Sequence, residues 1–118
     1  MNISNFSIGV DIESISRFQD LKRNKSKLFF SKIFTDNEMD YCFSKKAFAQ
    51  HLAVRFAAKE AIIKAICSLD EKKIPLNKVE IIKKDNGVPL IKLKGYNIKI
   101  SLSHCKDMAI AFAVVEKK

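Results

Sequence analysis

The chain has 118 residues, 47% of them hydrophobic, with 22 Lys+Arg against 13 Asp+Glu for a formal net charge of +9. That length predicts one domain over 1–118 with an ordinary core, and that composition excludes global disorder. The longest apolar run, Met108 to Val115, is too short to span a bilayer, and the start, MNISNFS, lacks a basic n-region and an apolar h-region, so neither a membrane span nor secretion is expected.

Phe6 to Glu13 alternates as a strand, with Ile8, Val10 and Ile12 on one face and Gly9, Asp11 and Glu13 on the other. Two carboxylates two residues apart on one strand face repel unless a cation or basic group stands between them. Ser16 to about Ser31 reads as a basic helix, with Phe18, Leu21, Leu28 and Phe29 on its apolar side and Arg17, Lys22, Arg23, Lys25 and Lys27 over much of the rest. Thr35 with Glu38 makes a capping box and Phe34 with Met39 a hydrophobic staple, which together start a second helix. A long helix follows over roughly Ala47 to Ile66, and Leu69 to Asn77 reads as a loop.

The last third is β-rich. Val79 to Lys83 and Leu90 to Leu93 flank Asp85-Asn86-Gly87, a hairpin signal because Asn-Gly tolerates positive φ. Asn97 to Ser103 alternates with Ile98, Ile100 and Leu102 inward; Met108 to Val115, apolar throughout, is expected to be a central strand buried on both faces. His104 to Asp107 forms the turn between them. The order is α+β, with an antiparallel sheet packed against the long helix and shorter helices beside it.

The long helix carries charge where apolar residues dominate. Glu60 and Lys64 are four apart on one face, and Arg55 and Lys59 are four apart on a neighbouring face, among Ala57, Ala58, Ala61, Ile62 and Ala65. Charges on such a helix must be paired, hold a metal or line a cleft. If the helix packs on the first strand, Asp11, Glu13 and Glu60 can converge into an oxygen-only set suited to Mg²⁺. On residue types alone the local reading is favoured, in which Asp11 begins a turn, Glu13 pairs with Arg17 and Glu60 with Lys64, because structural ion pairs are commoner than sites. Cys42, Cys67 and Cys105 have no zinc spacing and cannot all pair, so free thiols in a cytoplasmic setting are expected. The net charge predicts an anionic partner or simply a lysine-rich solvated surface.

Ile8-Gly9-Val10-Asp11-Ile12-Glu13 with Arg17-Phe18 resembles the opening motif of the 4′-phosphopantetheinyl transferases. Arg55-Phe56-Ala57-Ala58-Lys59-Glu60-Ala61 with Lys64-Ala65 is similar to that superfamily's second motif, and Phe34-Thr35 with Glu38 to a block between the two. Asn86-Gly87 with Pro89, and Ser101-Leu102-Ser103-His104 before the Ala-rich strand, resemble its C-terminal blocks. Length and order are most like the short holo-acyl-carrier-protein synthases.

The resemblance implies that fold, and transfer of 4′-phosphopantetheine from coenzyme A to a serine of an acidic acyl carrier protein, in fatty acid biosynthesis. It implies Mg²⁺ on Asp11 and Glu60. Glu13 joins them because Asp-x-Glu is the pattern of the larger transferases, whereas short synthases usually carry an apolar residue there. Glu60 is the implied general base and Lys64 the group that offsets charge on the phosphates. Arg55, Lys59, Lys64, Gly87, Pro89, Ser103 and His104 are expected on coenzyme A, and Arg17 on the carrier protein; Lys22, Arg23 and Lys25 join it on charge alone. His51 is expected to be an ordinary surface histidine. A homotrimer with sites at subunit interfaces is also implied. The family's glycine-rich turn is replaced by Ile66-Cys67-Ser68-Leu69-Asp70, so contacts made by that turn do not carry over. The competing reading is a small basic nucleic-acid-binding module, although no RNA motif or run of exposed aromatics is evident. No membrane partner is expected.

Overall fold

The structure, a computed structural model, describes residues 3–118. Strand β1 (Phe6–Ser14) is followed by helices α1 (Ser16–Gln19), α2 (Lys27–Ser31), α3 (Asp36–Phe43) and α4 (Phe48–Asp70), and then by β2 (Glu80–Lys83), β3 (Pro89–Lys92), β4 (Tyr96–His104) and β5 (Met108–Lys117). The strands form two antiparallel sheets: one in the order β1-β5-β4, the other the β2–β3 hairpin. Gly87, at φ 85°, turns that hairpin, donating from its N–H to the Lys84 carbonyl at 2.8 Å, so the Asn-Gly signal holds.

Small residues bring α4 down onto β1 and β5. Ala57, Ala58, Ala61 and Ala65 of the helix and Ala109, Ala111 and Ala113 of β5 are all fully buried. Gly9 completes the seam, because a Cβ there would stand 1.9 Å from the Ala61 carbonyl oxygen. Gly9→Ala should therefore force helix and strand apart at a cost of about 1–3 kcal/mol or more. Thermal melting should fall by roughly 5–15 °C; an unchanged melting temperature would contradict the seam.

β5 is central, but only one of its faces is buried. Ile8 (64% exposed), Val10 (51%) and Ile12 (57%) of β1 share the outer face with Ile110 (40%) and Phe112 (41%) of β5. The inward face of β1 is instead Gly9, Asp11 and Glu13, directed at α4 by strand alternation. The expected burial of Met108–Val115 on both faces is thus corrected.

The basic helix expected over 16–31 is also corrected: α1 and α2 are short pieces divided at residues 20–26. Asp20, Asn24 and Ser26 are poor helix formers, and Lys22, Arg23, Lys25 and Lys27 would crowd like charge on a continuous helix. The capping box is present, with Glu38 N–H donating to Thr35 Oγ1 at 3.2 Å and Thr35 N–H to Glu38 Oε1 at 2.8 Å. α4 runs past the expected end to Asp70, whose carboxylate accepts from Tyr96 Oη at 2.5 Å and Lys117 Nζ at 2.8 Å. The segment that replaces a glycine-rich turn is therefore helix, pinned at its end to β4 and β5.

Candidate active site

Asp11 lies mid-strand under α4. Its Oδ1 accepts from Lys64 Nζ at 3.1 Å, and the same ammonium donates to the Val10 carbonyl at 3.1 Å. Its Oδ2 is buried and has no hydrogen-bond partner. Two residues on, Glu13 accepts from Arg17 Nη1 at 3.1 Å, and that guanidinium sits 4.9 Å over the Phe56 ring. Burial, then the adjoining Asp11 carboxyl, push the Glu13 carboxyl up to about 7, against the pull of Arg17. The raised Glu13 carboxyl marks a site where Arg17 does not fully offset burial and the neighbouring acid. A buried lone oxygen beside an electron-rich carboxyl pair suits a hard divalent cation.

Glu60 does not join them. It lines a separate hollow of about 540 Å³ with Ile63, Lys73 and the Ile74–Leu76 stretch. Among the described residues no group of three acids, histidines or cysteines is gathered to hold a metal, so the expected convergence of Asp11, Glu13 and Glu60 is corrected to a pair plus one. No described ion pair joins Glu60 to Lys64 either, because Lys64 is drawn to Asp11.

A second cleft, of about 190 Å³, opens between α3, α4 and the hairpin. It gathers Arg55, Gly87, Pro89 and His104, which sequence motifs placed together across 50 residues of chain. His104 Nε2 is 3.0 Å from Gln50 Nε2. Tyr41, His51 and Lys83, none of them singled out by the motifs, line the same cleft, so His51 is more than the ordinary surface histidine expected. Their signal was spacing: Tyr41–Lys45 and His51–Arg55 are each four apart, and Lys83 precedes the hairpin turn. Burial, then Arg55, Lys83 and Lys45, hold the His51 pKa below its ordinary value.

Three expected coenzyme contacts are not in the cleft: Lys64, which is held at Asp11, Ser103 and Lys59. Ser103 stands on the exposed face of β4, opposite Ile110. Lys59 is fully buried; its Nζ donates to Glu38 Oε1 at 2.6 Å and to the Leu76 carbonyl at 3.1 Å. Glu38 Oε2 also accepts from Ile81 N–H at 2.9 Å, so the pair ties α3, α4 and β2 together. Burial lowers the Lys59 pKa, and Glu38 offsets this. A side chain so committed is structural, which corrects its assignment to phosphate; its apolar flanks, Phe56, Ile62 and Ile63, were the available clue.

Arg17, Lys22, Arg23 and Lys25 are all exposed on the α1–α2 side. Arg23 is paired to Asp40 at 2.6 Å and Arg17 to Glu13. Cys42, Cys67 and Cys105 are free thiols.

A family model described as the 4′-phosphopantetheinyl transferase superfamily matches residues 7–113. A holo-acyl-carrier-protein synthase of Thermodesulfovibrio yellowstonii is 39% identical over 110 residues, covering 92% of this chain and 96% of that one. Among solved structures, the holo-acyl-carrier-protein synthase of Bacillus anthracis in complex with coenzyme A (3′,5′-ADP) aligns with a TM-score of 0.77 at 28% identity, over 95% of this chain and 96% of that one. The Helicobacter pylori synthase in complex with coenzyme A aligns at 0.76 and 31% identity, over 92% and 99%.

Proposed function

The chain belongs to the 4′-phosphopantetheinyl transferase superfamily, among its holo-acyl-carrier-protein synthases, and on that premise we propose how its residues transfer the phosphopantetheine arm of coenzyme A to an apo-acyl carrier protein. The observation that carries the reading is the pairing of two sites: carboxylates around Lys64, and a cationic cleft ending at His104. The nucleic-acid alternative finds no support in these relatives.

The serine hydroxyl of the carrier attacks the phosphorus that bears the pantetheine arm. A serine O–P bond forms, the diphosphate P–O bond breaks, and adenosine 3′,5′-bisphosphate leaves. Glu60 takes the serine proton onto its carboxylate. Lys64, freed from Asp11 by a phosphate competing for its ammonium, offsets charge on the leaving oxygen. Asp11 and Glu13 would hold Mg²⁺, which would supply charge neutralisation at the diphosphate. Arg55, Gly87, Pro89 and His104 bind the nucleotide portion. Arg17, Lys22, Arg23 and Lys25 receive the acidic carrier protein and act mainly on its association rate.

Residues 1–118 act as one domain, since α4 contributes to the core around α1–α3 and to the core against the sheets. The outer sheet face formed by Ile8, Val10, Ile12, Ile110 and Phe112 is a contiguous apolar surface of the kind that self-association covers. A homotrimer would bury it, and monomeric sedimentation at micromolar concentration would contradict that assembly. Among the described residues no helix is long and apolar enough to cross a membrane. We place the enzyme in cytoplasmic fatty acid biosynthesis; depletion in its host should then make apo-carrier protein accumulate.

The test is release of adenosine 3′,5′-bisphosphate from coenzyme A on addition of apo-carrier protein. Chelation of divalent cations should abolish release, and added Mg²⁺ should restore it. Release undiminished by chelator would remove the metal assignment. Salt-dependent binding to bulk RNA without any release would favour the nucleic-acid module.

A further inference from the structure

Three cations surround one aromatic ring at the second cleft. Arg55 Cζ lies 4.3 Å from the Tyr41 ring centroid, Lys45 Nζ 5.0 Å and Lys83 Nζ 5.8 Å. Lys83 Nζ also donates to Tyr41 Oη at 3.2 Å, and His51 stands edge-on to the ring at 5.7 Å. No described carboxylate is ion-paired with any of these three cations. The Nε of Arg55 is buried and unpartnered. Burial would raise the Tyr41 hydroxyl's pKa, yet Lys83, Arg55 and Lys45 together pull it below the ordinary tyrosine value.

Like charges gathered this closely repel, and the ring face offsets only part of the cost. Such an array suits an anion carrying more than one charge. Coenzyme A is anionic at two places: the diphosphate that reacts and the phosphate monoester on the ribose. The reacting end must reach Asp11, Glu60 and Lys64, and none of the three lines this cleft. The monoester is the group left for it.

We propose that Tyr41 is a positioning residue for the ribose 3′-phosphate of coenzyme A, its ring holding Arg55 and Lys45 and its hydroxyl holding Lys83 so that three cations face one dianion. Tyr41 sits on α3, Arg55 on α4 and Lys83 at the end of β2, so the ring joins three elements at this point. The inference rests on the transferase reading above, which places coenzyme A in the cleft.

The test does not require turnover. Calorimetry compares adenosine 3′,5′-bisphosphate with adenosine 5′-monophosphate on the wild type, Tyr41→Leu and Tyr41→Phe, each checked for an intact thermal transition. The wild type should prefer the bisphosphate. Tyr41→Leu should weaken the bisphosphate about tenfold and leave the monophosphate unchanged, because ring–cation contacts are lost only from the monoester site. Tyr41→Phe keeps the ring and should retain most of the preference. Equal weakening of both nucleotides, an unchanged preference in Tyr41→Leu, or no preference in the wild type would overturn the assignment. Should Tyr41→Leu fail to fold, Lys83→Met gives the same comparison and should narrow the preference. A wild type that binds the bisphosphate selectively but never modifies a carrier protein would contradict the transferase reading and leave the Tyr41 assignment standing.

Discussion

Glu60→Gln is expected to lower the rate of phosphopantetheine transfer by about 10²–10⁴-fold while leaving the melting temperature unchanged. The carboxylate is half-buried in a hollow beside Ile63 and Pro75 and joins no described ion pair. Removing its charge therefore takes away no structural partner, and stability should shift by less than about 0.5 kcal/mol. The amide keeps the shape but cannot accept the serine proton. Near-wild-type turnover would remove Glu60 as the base. A rate loss that excess Mg²⁺ reverses would instead make it a ligand alone.

Lys59→Met is expected to act in the opposite way, on stability first. It leaves the Glu38 carboxylate fully buried without its ammonium, and breaking such a pair costs about 3–5 kcal/mol. The melting temperature should fall by roughly 10–25 °C. Glu38→Gln removes the stranded charge but leaves one amide oxygen for the two N–H donors of Thr35 and Ile81, so the double variant Lys59→Met/Glu38→Gln should recover only part of the loss. Steady-state kinetics on whatever remains folded should show little change in KM for coenzyme A. A stable Lys59→Met protein with a raised KM would show that this lysine reaches the nucleotide after all.

The contrast between these neighbours on α4 marks where sequence reading succeeds and where it stops. Local chemistry was legible: Thr35 and Glu38 are a capping box by residue type and spacing, and Asn86-Gly87 turns a hairpin because glycine accepts φ 85°. The α+β order and the long helix follow from periodicity. Alternation alone, however, cannot say which side of β1 meets the core. Ile8, Val10 and Ile12 are the apolar choice, yet α4 packs on Gly9 because only a glycine admits the Ala61 carbonyl.

Long-range charge partners were hidden for a related reason. Helical spacing offered Glu60 to Lys64 and no carboxylate to Lys59, but tertiary packing gave Lys64 to Asp11 and Lys59 to Glu38. Of the residues that motif resemblance offers for coenzyme A, Arg55, Gly87, Pro89 and His104 line one cleft, whereas Lys59 is buried against Glu38 and Ser103 lies on the exposed face of β4. Tyr41 escaped notice because its significance lies in three cations from separate elements.

The most direct measurement is the intact mass of an apo-acyl carrier protein after incubation with this chain, coenzyme A and Mg²⁺. The account predicts a gain of one phosphopantetheine group on the carrier's acceptor serine, absent from a carrier with that serine changed to alanine. No gain on any of several apo-carrier proteins, the host's own included, would contradict it.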